Sequence, residues 1–296
     1  MNVEQNVTLG RLTTVGIGGL ARYFAQPQTV AELEEALRWA AADGLEVFTI
    51  GLGSNVLIAD EGVDALVLRL EGELAAAEAK DGVLVAGGGA ANAVCVHRTR
   101  SAGLGGFEFA CAIPGTVGGG ARMNAGAYGG DWRGILERAL VVTAEGSGWR
   151  SPDELGLEYR RSALKPDEVV ARAEFRLTPK PTEEIKGTVA DLQAKRKAAQ
   201  PTNKRTFGSV FKNPDHELSA GRMIEAAGLK GYRVGGAQIS PRHGNFIENA
   251  GDARATEALA LMAEARRRAL DKFGVELEHE VRFVGELELP PAGERL

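Results

Sequence analysis

The sequence has little cysteine and no long hydrophobic run. Its two cysteines, Cys95 and Cys111, match neither a zinc-ligand spacing nor a disulfide framework, which fits a reducing compartment. No run of about 18 apolar residues occurs, so no membrane-spanning helix is expected. The N-terminus lacks a basic segment followed by an apolar one, so no secretory signal is indicated. These absences predict a cytoplasmic protein that does not associate with membranes.

An excess of positive charge is also missing. The net charge is −5 and the sequence pI is about 5.6, which gives no general attraction to nucleic acid or to an anionic membrane. The four histidines lack an H-E-x-x-H pattern or cysteine neighbours, so no catalytic metal is indicated. The P-loop motif G-x-x-x-x-G-K-[ST] and the nucleophile elbow G-x-S-x-G are both absent. No obligate protein partner is indicated either.

Glycine, in contrast, is concentrated in two loops. Gly51–Asn55 follows the apolar run Val47–Ile50, and Ile113–Ala121 continues into the glycine-rich stretch Asn124–Gly130. Glycine-rich backbone lets successive N–H groups approach an anion without hindrance from side chains. Two such loops predict a dinucleotide whose pyrophosphate is held from two sides; the alternative is that they are turns that only connect strands.

A third glycine pattern, Gly16–Ala21, formally matches the Rossmann motif G-x-G-x-x-A. That motif must follow a buried strand and open a helix. Here the preceding segment 7–14 is too polar for a central strand, and Tyr23–Ala25 followed by Pro27 does not read as a helix. A Rossmann domain is therefore not expected.

The periodicity of apolar residues predicts an α+β protein. Short apolar runs separated by glycines predict strands at 66–68, 83–85, 140–142, 169–177 and 275–284. Helical periodicity predicts helices at 29–42, 92–102, 183–199 and 253–273. The segment 178–182, with two prolines, reads as a linker. We therefore expect a nucleotide-binding region at 1–179, with subdomains at about 1–72 and 73–179, a smaller C-terminal domain at 180–285 and a frayed tail at 286–296.

Three short segments remain as candidates for chemistry. They are Tyr159–Ser162, Gly208–Pro214 and Glu278–Phe283. From the residues alone, the bland interpretations stay open: surface arginines at Arg160, a turn or helix cap at Ser209, and an exposed strand carboxylate at Glu280.

Together with the two glycine loops, these segments resemble one family, the UDP-N-acetylenolpyruvoylglucosamine reductases. The resemblance extends from about residue 13 to residue 285, and its elements occur in the order of the family. It implies an FAD-binding domain of the vanillyl-alcohol-oxidase-like (PCMH) type, followed by a smaller α+β substrate-binding domain. The short interval between Asn213 and Gly235 is similar to the shorter family form, which lacks a tyrosine loop. Leu20 replaces a proline that is usual in the family.

The implied activity is the UDP-N-acetylmuramate dehydrogenase reaction of peptidoglycan synthesis. Non-covalent FAD and the cosubstrate NADPH reduce the enolpyruvyl group of UDP-N-acetylglucosamine enolpyruvate, a small-molecule UDP-sugar. The resemblance assigns FAD contacts to Gly51, Gly53, Ser54, Asn55, Pro114, Gly115, Thr116, Gly118, Gly119, Asn124 and Gly126. It implies substrate contacts at Tyr159, Lys212, Asn213, Gln238 and Asn245.

The resemblance also implies three catalytic residues. Arg160 holds the substrate carboxylate, on which negative charge develops, because a guanidinium binds a carboxylate in a fixed fork. Ser209 donates a proton to the α-carbon, and local activation is needed because a hydroxyl is a weak acid in water. Glu280 either contacts the same carboxylate in its protonated form or orients the proton donor.

Two other classes of function remain open at the level of sequence. One is a different FAD oxidoreductase or oxidase on the same scaffold, which has no reason to carry Gly208–Pro214 together with Glu280. The other is a non-catalytic nucleotide-binding module, for which loss of Arg160, Ser209 or Glu280 is the expected sign. All three residues are present.

Overall fold

A computed structural model describes residues 2–292 of the chain, which divide into two compact units. As far as they are described, the first unit comprises Met1–Asn6, Tyr23–Leu52 and Asp64–Arg196, and the second Val7–Arg22, Gly53–Val63 and Lys197–Leu296. The expected boundaries near residues 72, 179 and 285 divide the chain into continuous domains, whereas each of these two units combines three separate stretches. Those boundaries therefore stay predictions. No helix within residues 2–292 combines the length and the apolar character needed to cross a bilayer.

The structure alternates short strands with helices. The helices are α1 (Val30–Ala42), α2 (Asn92–Ser101), α3 (Val117–Met123), α4 (Thr182–Ala199), α5 (Ala220–Ala226) and α6 (Ala255–Phe273). The strands are β1 (Val3–Thr8), β2 (Leu20–Ala25), β3 (Glu46–Thr49), β4 (Val56–Ile58), β5 (Val63–Leu68), β6 (Ala77–Lys80), β7 (Val83–Gly87), β8 (Leu104–Gly105), β9 (Gly126–Ala127), β10 (Gly130–Asp131), β11 (Leu136–Thr143), β12 (Gly146–Arg150), β13 (Val169–Arg176), β14 (Thr178–Pro179), β15 (Thr206–Ser209), β16 (Arg233–Val234), β17 (Ala237–Ile239), β18 (Phe246–Asn249) and β19 (Arg282–Val284).

Two sheets form most of the first unit. One has the strand order β12-β11-β13-β7-β6 with antiparallel pairing throughout. The other has the order β1-β2-β5-β3, in which β3 and β5 run parallel. The first sheet packs on an aromatic cluster in which the rings of Phe107 and Phe175 lie 5.2 Å from each other and Phe107 lies 5.5 Å from Trp132. Edge-to-face rings of this kind bury a large apolar area in one place.

The helices of the first unit follow the sequence closely. Thr29, at the N-cap position of α1, accepts a 3.2 Å hydrogen bond from the N–H of Glu32, as a threonine at that position is expected to do. Leu33 and Leu37 bury the apolar face of α1 in a core that also contains Leu66 and Leu68 of β5. The predictions of helices near 29–42, 92–102 and 183–199 are confirmed. The predicted linker is wrong in part, because Thr178 and Pro179 form β14 and pair with β8.

The second unit is built on one antiparallel sheet and a long helix. The sheet has the strand order β15-β18-β17-β16, and α6 covers one of its faces. The predicted apolar face of α6 is confirmed, since Leu259, Met262, Ala265 and Ala269 are buried there. Phe207 and Ile247 contribute from the sheet to the same core. The last predicted strand is shorter than expected: β19 pairs with β4 in parallel only from Arg282 to Val284.

The expectation of a frayed tail is wrong for residues 286–292. Leu287 and Leu289 pack on the core of the second unit, and Ala292 is buried. The Arg266 guanidinium donates a hydrogen bond to the carbonyl oxygen of Pro290. Leu287 and Leu289, at alternate positions, and the largely buried Arg266 anchor this segment. The two prolines in the sequence had led to the expectation of a frayed tail. Residues 293–296 lie outside the described residues.

Candidate FAD and substrate sites

The first unit contains a cavity of about 470 Å³, within the range of small-molecule sites. It lies where the loop after β3, the loop after β5, the glycine turn after β7, the start of α3 and the start of β13 come together. Four of the residues predicted to bind FAD line it: Gly51, Thr116, Gly118 and Gly119. Further lining residues include Arg69, Leu70, Glu71, Gly88, Gly89, Ala91, Val94, Arg122, Glu168 and Val170.

Part of the wall of this cavity is glycine backbone that approaches other segments too closely for side chains. A methyl group on Gly88 would lie 1.8 Å from the carbonyl oxygen of Val170, and one on Gly89 would lie 2.4 Å from that of Leu70. A methyl group on Gly51 would lie 2.5 Å from Thr116 Oγ1. Glycine is therefore needed here so that neighbouring segments can pack, and their packing leaves a wall of bare peptide groups.

Gly118 and Gly119 have different roles, although they are adjacent. The N–H of Gly118 donates a 2.7 Å hydrogen bond to the carbonyl oxygen of Gly88, so it joins two segments of the wall. A methyl group on Gly119 would have Thr116 Oγ1, at 3.6 Å, as its nearest neighbour, and Gly119 lines the cavity. The space beside Gly119 is thus open to a ligand. The Gly118 N–H, which was expected to bind the pyrophosphate, is bonded to Gly88 instead.

Two features of this region were missed by the sequence analysis. One is the run Gly87–Gly89, which supplies two residues of the cavity wall; its position directly after an apolar run was an available signal. The other is Asn92, which is 1 % exposed. Its backbone N–H donates to the carbonyl oxygen of Gly115 and its side-chain Nδ2 to that of Ile113, both at 3.0 Å. Asn92 therefore fixes the Pro114–Gly115 loop, whose residues do not line the cavity.

Charge in the cavity wall is held in place by hydrogen bonds. Burial raises the pKa of the Glu168 carboxyl. Hydrogen bonds from the Arg150 guanidinium, at 2.8 Å, and from the N–H of Lys165 lower it by more, so the pKa lies below its usual value. The Arg122 guanidinium donates hydrogen bonds to the carbonyl oxygens of Leu164, Lys165 and Glu168. These groups hold the segment that leads into β13.

Arg160 lies at the tip of a tight turn in the first unit. Glu158 and Arg161 exchange backbone hydrogen bonds of 3.0 and 3.2 Å, which leaves Tyr159 and Arg160 as the two central residues. Arg160 has φ +58°, a left-handed conformation that is unusual for a residue with a side chain. Its guanidinium donates a 2.7 Å hydrogen bond to the carbonyl oxygen of Gly126 and lies 5.0 Å from the ring centre of Tyr159, which is 54 % exposed.

Asn124 connects the end of α3 to this turn. It is 3 % exposed and has φ +41°, as an αL residue at a helix C-terminus. Its Nδ2 donates a 3.0 Å hydrogen bond to the carbonyl oxygen of Glu158, and its Oδ1 accepts one of 2.9 Å from the N–H of Arg133. The amide that was predicted to line the flavin thus fixes the base of the Arg160 turn, and Gly126 fixes its guanidinium.

In the second unit, a β-bulge determines the direction of Ser209. Thr206 pairs with Glu248 and Ser209 with Phe246, so two residues of β15 stand opposite a single residue of β18. The bulge contains Gly208, whose φ of +82° suits glycine. Because paired residues share a face of the sheet, Thr206 and Ser209 point to the same side, away from the core in which Phe207 lies.

Ser209 and Glu280, although distant in sequence, lie on adjacent segments. Beyond β15, Phe211 forms an antiparallel bridge with His279, flanked by two hydrogen bonds. The N–H of Glu280 donates to the carbonyl oxygen of Val210, and that of Lys212 to the carbonyl oxygen of Glu278, both at 2.9 Å. The Lys212 ammonium group also forms an ion pair with Glu278. The pairing therefore brings the backbone of Glu280 next to the residue that follows Ser209.

The first glycine loop is divided between the two units. Gly51 lines the cavity of the first unit, whereas Gly53, Ser54 and Asn55 belong to the second. A methyl group on Gly53 would lie 2.3 Å from the carbonyl oxygen of Leu12. Asn55 Nδ2 donates a 3.0 Å hydrogen bond to the carbonyl oxygen of Glu280. The loop was expected to act as one cofactor-binding element, but its second half contacts the segment that carries Glu280.

The remaining predicted substrate residues also have protein partners. Asn245, which is 4 % exposed, exchanges hydrogen bonds of 2.9 and 2.8 Å with the backbone N–H and carbonyl groups of Phe211. Asn213 Oδ1 accepts a hydrogen bond of 3.2 Å from the N–H of Ala220, at the start of α5. Gln238 Nε2 donates one of 3.0 Å to the carbonyl oxygen of Gly231. These contacts fix the chain around Ser209, and the predicted substrate contacts remain predictions.

Two family profiles match the chain. Residues 21–150 match the family described as FAD binding domain. Residues 200–284 match the family described as UDP-N-acetylenolpyruvoylglucosamine reductase, C-terminal domain. The first match covers the cavity wall up to the strand that precedes the Arg160 turn, and the second covers Ser209 and Glu280.

Individual relatives match over nearly the whole chain. UDP-N-acetylenolpyruvoylglucosamine reductase 2 of Symbiobacterium thermophilum is 44 % identical over 94 % of this chain and 90 % of its own length. The UDP-N-acetylenolpyruvoylglucosamine reductase of Agathobacter rectalis is 41 % identical over 97 % and 95 % of the two lengths. The crystal structure of the Thermus caldophilus reductase matches with a TM-score of 0.83 and 38 % identity, over 96 % of this chain and 99 % of that one.

Proposed function

The chain belongs to the UDP-N-acetylenolpyruvoylglucosamine reductase family, and from this premise we propose a role for each of its candidate residues. The family and the FAD-binding fold expected from the motifs are thereby confirmed. The protein reduces the enolpyruvyl group of UDP-N-acetylglucosamine enolpyruvate to give UDP-N-acetylmuramate. FAD is its cofactor and NADPH its reductant. Its substrate is a small-molecule UDP-sugar.

The cavity of the first unit fits the pyrophosphate-containing cofactor. The glycine part of its wall offers peptide groups without side chains, Arg69 and Arg122 also line it, and the space beside Gly119 is open. We assign the binding of FAD to Gly51, Thr116 and Gly119, with Gly118, Pro114 and Gly115 holding the loop in shape. When bound, FAD carries two electrons from NADPH to the alkene of the substrate.

Arg160 is assigned to the substrate carboxylate. Reduction places negative charge on the α-carbon, which is delocalised into that carboxylate, and a guanidinium stabilises such charge with two parallel hydrogen bonds. The bond from Arg160 to the carbonyl oxygen of Gly126 uses one of its nitrogens and fixes the direction of the fork. The left-handed backbone of Arg160 supports this role, because strained conformations of non-glycine residues cluster at functional sites.

Ser209 is assigned as the proton donor to the α-carbon, and Glu280 as the group that orients this proton or the carboxylate. The observation that carries this assignment is the pairing of residues 210–212 with residues 278–280. Both hydrogen bonds of that pairing are backbone bonds, so they hold the two segments that carry Ser209 and Glu280 next to each other whatever the protonation states of the side chains. Asn55, which donates to the carbonyl oxygen of Glu280, is assigned as a positioning residue.

We place the reaction in the cytoplasm and propose that it needs no protein partner. NADPH and UDP-sugars are cytoplasmic metabolites, and Cys95 and Cys111 are both free thiols, as is usual in a reducing compartment.

An anaerobic titration of the purified protein tests the function. The visible flavin spectrum is expected to bleach on addition of NADPH and to return when UDP-N-acetylglucosamine enolpyruvate is added. Recovery only after oxygen is admitted would identify an oxidase on the same scaffold. Failure to bind FAD even after reconstitution would contradict the assignment of the glycine-walled cavity.

A further inference from the structure

A row of polar residues crosses the sheet of the second unit on the face of Ser209. Glu248 on β18 pairs with Thr206 on one side and with Gln238 on the other. Paired residues share a face, so all three belong to the face opposite the core formed with α6. Ser209 lies on this face as well, because the bulge in β15 sets its direction.

Glu248 is a largely buried residue whose carboxylate has no partner within residues 2–292. Its residue is 5 % exposed, and its side chain forms no hydrogen bond or ion pair with any residue between positions 2 and 292. Gln238, the polar neighbour on β17, donates its amide to the carbonyl oxygen of Gly231 instead. On the other side, the hydroxyl of Thr206 is buried and also lacks a partner among these residues. Two hydrogen-bonding groups in one row are thus left unused by the protein.

Such an arrangement lowers the stability of the free protein. A largely buried, unpaired carboxylate loses most of its hydration and gains no hydrogen bond in return. An apolar side chain at position 248 would fill the same place on the sheet without that cost. Groups that are unsatisfied in the free protein and face a binding site are explained when a ligand satisfies them.

The position of Glu248 relative to Ser209 indicates which part of a ligand it meets. Glu248 stands two residues from Phe246, the partner of Ser209, which corresponds to about 7 Å along the strand. In the substrate of the proposed function, this is roughly the reach of the sugar ring that carries the enolpyruvyl group. The uracil ring lies farther away, beyond the diphosphate, and the diphosphate itself would be repelled by a carboxylate.

We propose that Glu248 is a specificity-determining residue that accepts a hydrogen bond from a free hydroxyl group of the hexosamine ring. This inference rests on the proposed function, since it takes the reacting end of the substrate to be at Ser209. A carboxylate accepts from hydroxyl groups but offers no proton to an ether or phosphate oxygen. It therefore distinguishes a sugar with a free hydroxyl at this position from one in which that hydroxyl is missing or replaced.

The test compares E248Q and E248A with the wild-type holoenzyme, using UDP-N-acetylglucosamine enolpyruvate and its 4-deoxy and 6-deoxy analogues. For the parent substrate we expect KM to rise about 10- to 100-fold in E248A and less in E248Q, with kcat within about threefold of wild type. One deoxy analogue should lose affinity with the wild type by a similar factor, but not with E248A. E217Q, which changes an exposed carboxylate of the same unit, is the matched control and should behave as wild type.

Thermal unfolding separates this role from a structural one. E248Q should be at least as stable as the wild type without substrate, because it removes an unpaired, largely buried charge at nearly constant side-chain size. A lower unfolding temperature together with an unchanged KM would overturn the inference, as would wild-type affinity for both deoxy analogues. Either result, obtained while the wild type still reduces the parent substrate, would leave the proposed function intact. A wild type that does not reduce the parent substrate would contradict the proposed function itself.

Discussion

The side-chain amide of Asn55 donates a 3.0 Å hydrogen bond to the main-chain carbonyl oxygen of Glu280. The carbonyl oxygen of Asn55 in turn accepts a 3.1 Å bond from the N–H of Arg282, two residues farther along. Asn55 of the first glycine loop therefore holds the segment 280–282, which carries Glu280, at two points. This contact connects a motif associated with cofactor binding to the proposed chemistry at Glu280.

Replacing Asn55 by leucine should separate these two roles. The variant keeps the approximate size of the side chain but cannot donate to Glu280, so the Glu280 carboxyl loses its fixed position. We expect kcat for substrate reduction to fall about 10-fold, since small misplacements of catalytic groups are costly. FAD content, measured from the visible spectrum, should remain near that of the wild type. Loss of FAD with an unchanged kcat in the flavin-loaded fraction would assign Asn55 to the cofactor instead.

Ser209→Ala should affect only one of the two half-reactions. Without the hydroxyl, protonation of the α-carbon loses its donor, and the rate should fall on the order of 10²–10⁴. Reduction of the flavin by NADPH involves no such proton and should stay close to the wild-type rate. Stopped-flow absorbance measures the two steps separately. A parallel decrease of both would remove Ser209 from the role of proton donor.

Gly119→Ala tests the cavity wall without disturbing its packing. The added methyl group has its nearest protein neighbour at 3.6 Å, so the chain should fold normally, but it occupies space that we assign to FAD. We expect FAD affinity to fall at least about 10-fold, as measured by titration of the apoprotein. The matched control is Gly187→Ala in α4, where the methyl group meets no atom within 4 Å. That change should leave FAD affinity unchanged and slightly raise stability, because alanine favours a helix.

Asn124→Gly and Asn124→Ala together measure how much the Asn124 side-chain amide, which supports the Arg160 turn, contributes to stability and to activity. Glycine adopts the φ of +41° easily, so its effect isolates the loss of the hydrogen bonds to Glu158 and Arg133. We expect the free energy of unfolding to fall by about 1–3 kcal/mol in the glycine variant and by more in the alanine variant. In both, kcat should fall as the Arg160 turn loosens. Unchanged kcat in a destabilised Asn124→Gly protein would show that the amide serves folding alone.

Glu264 in α6 makes stability depend on pH. Hydrogen bonds from Arg267 hold the pKa of its carboxyl below the usual value of 4.5, and those from Arg268 add to this. A lowered pKa in the folded state contributes stability above the unfolded pKa, and this contribution is lost as pH falls through the folded value. Glu264→Gln should therefore lower the free energy of unfolding by about 1 kcal/mol at neutral pH. The difference from wild type should shrink below about pH 4.5; a constant difference at all pH values would contradict this origin.

The sequence predicted most helices because their signals are local. Thr29 caps α1 as its type and position require, and the apolar face of α6 follows from spacing alone. The three catalytic candidates were assigned by resemblance, since Arg160 and Ser209 lie in turns and bulges that have no periodicity. Gly118 shows the limit of motif reasoning: its N–H bonds to Gly88, and a methyl group on it would lie only 3.0 Å from the carbonyl oxygen of Gly88, a close approach between segments that only the fold brings together.

Glu248 and Asn92 were missed for a related reason. In the sequence, Glu248 is one charged residue between an isoleucine and an asparagine, and nothing there reveals that it is buried. Asn92 reads as the start of a helix, which it is, while its second function is a bond to Ile113 across a loop. Burial and partners of polar groups depend on strands and loops far away in the chain, so only the folded structure identifies them.

The extra residue in β15 limits which insertions and deletions this strand can accept. Side chains alternate along a regular strand, so two residues between Thr206 and Ser209 would by themselves turn the hydroxyl toward the apolar interior; the bulge at Gly208 places it on the face of Thr206 instead. Deleting Gly208 would restore regular pairing and leave Ser209 on that face, opposite Phe246, whereas straightening the bulge with Gly208 still present would turn Ser209 inward with no change in any catalytic side chain. Insertions and deletions are tolerated in many surface loops, but at this point the number of residues and the bulge must match each other to direct Ser209.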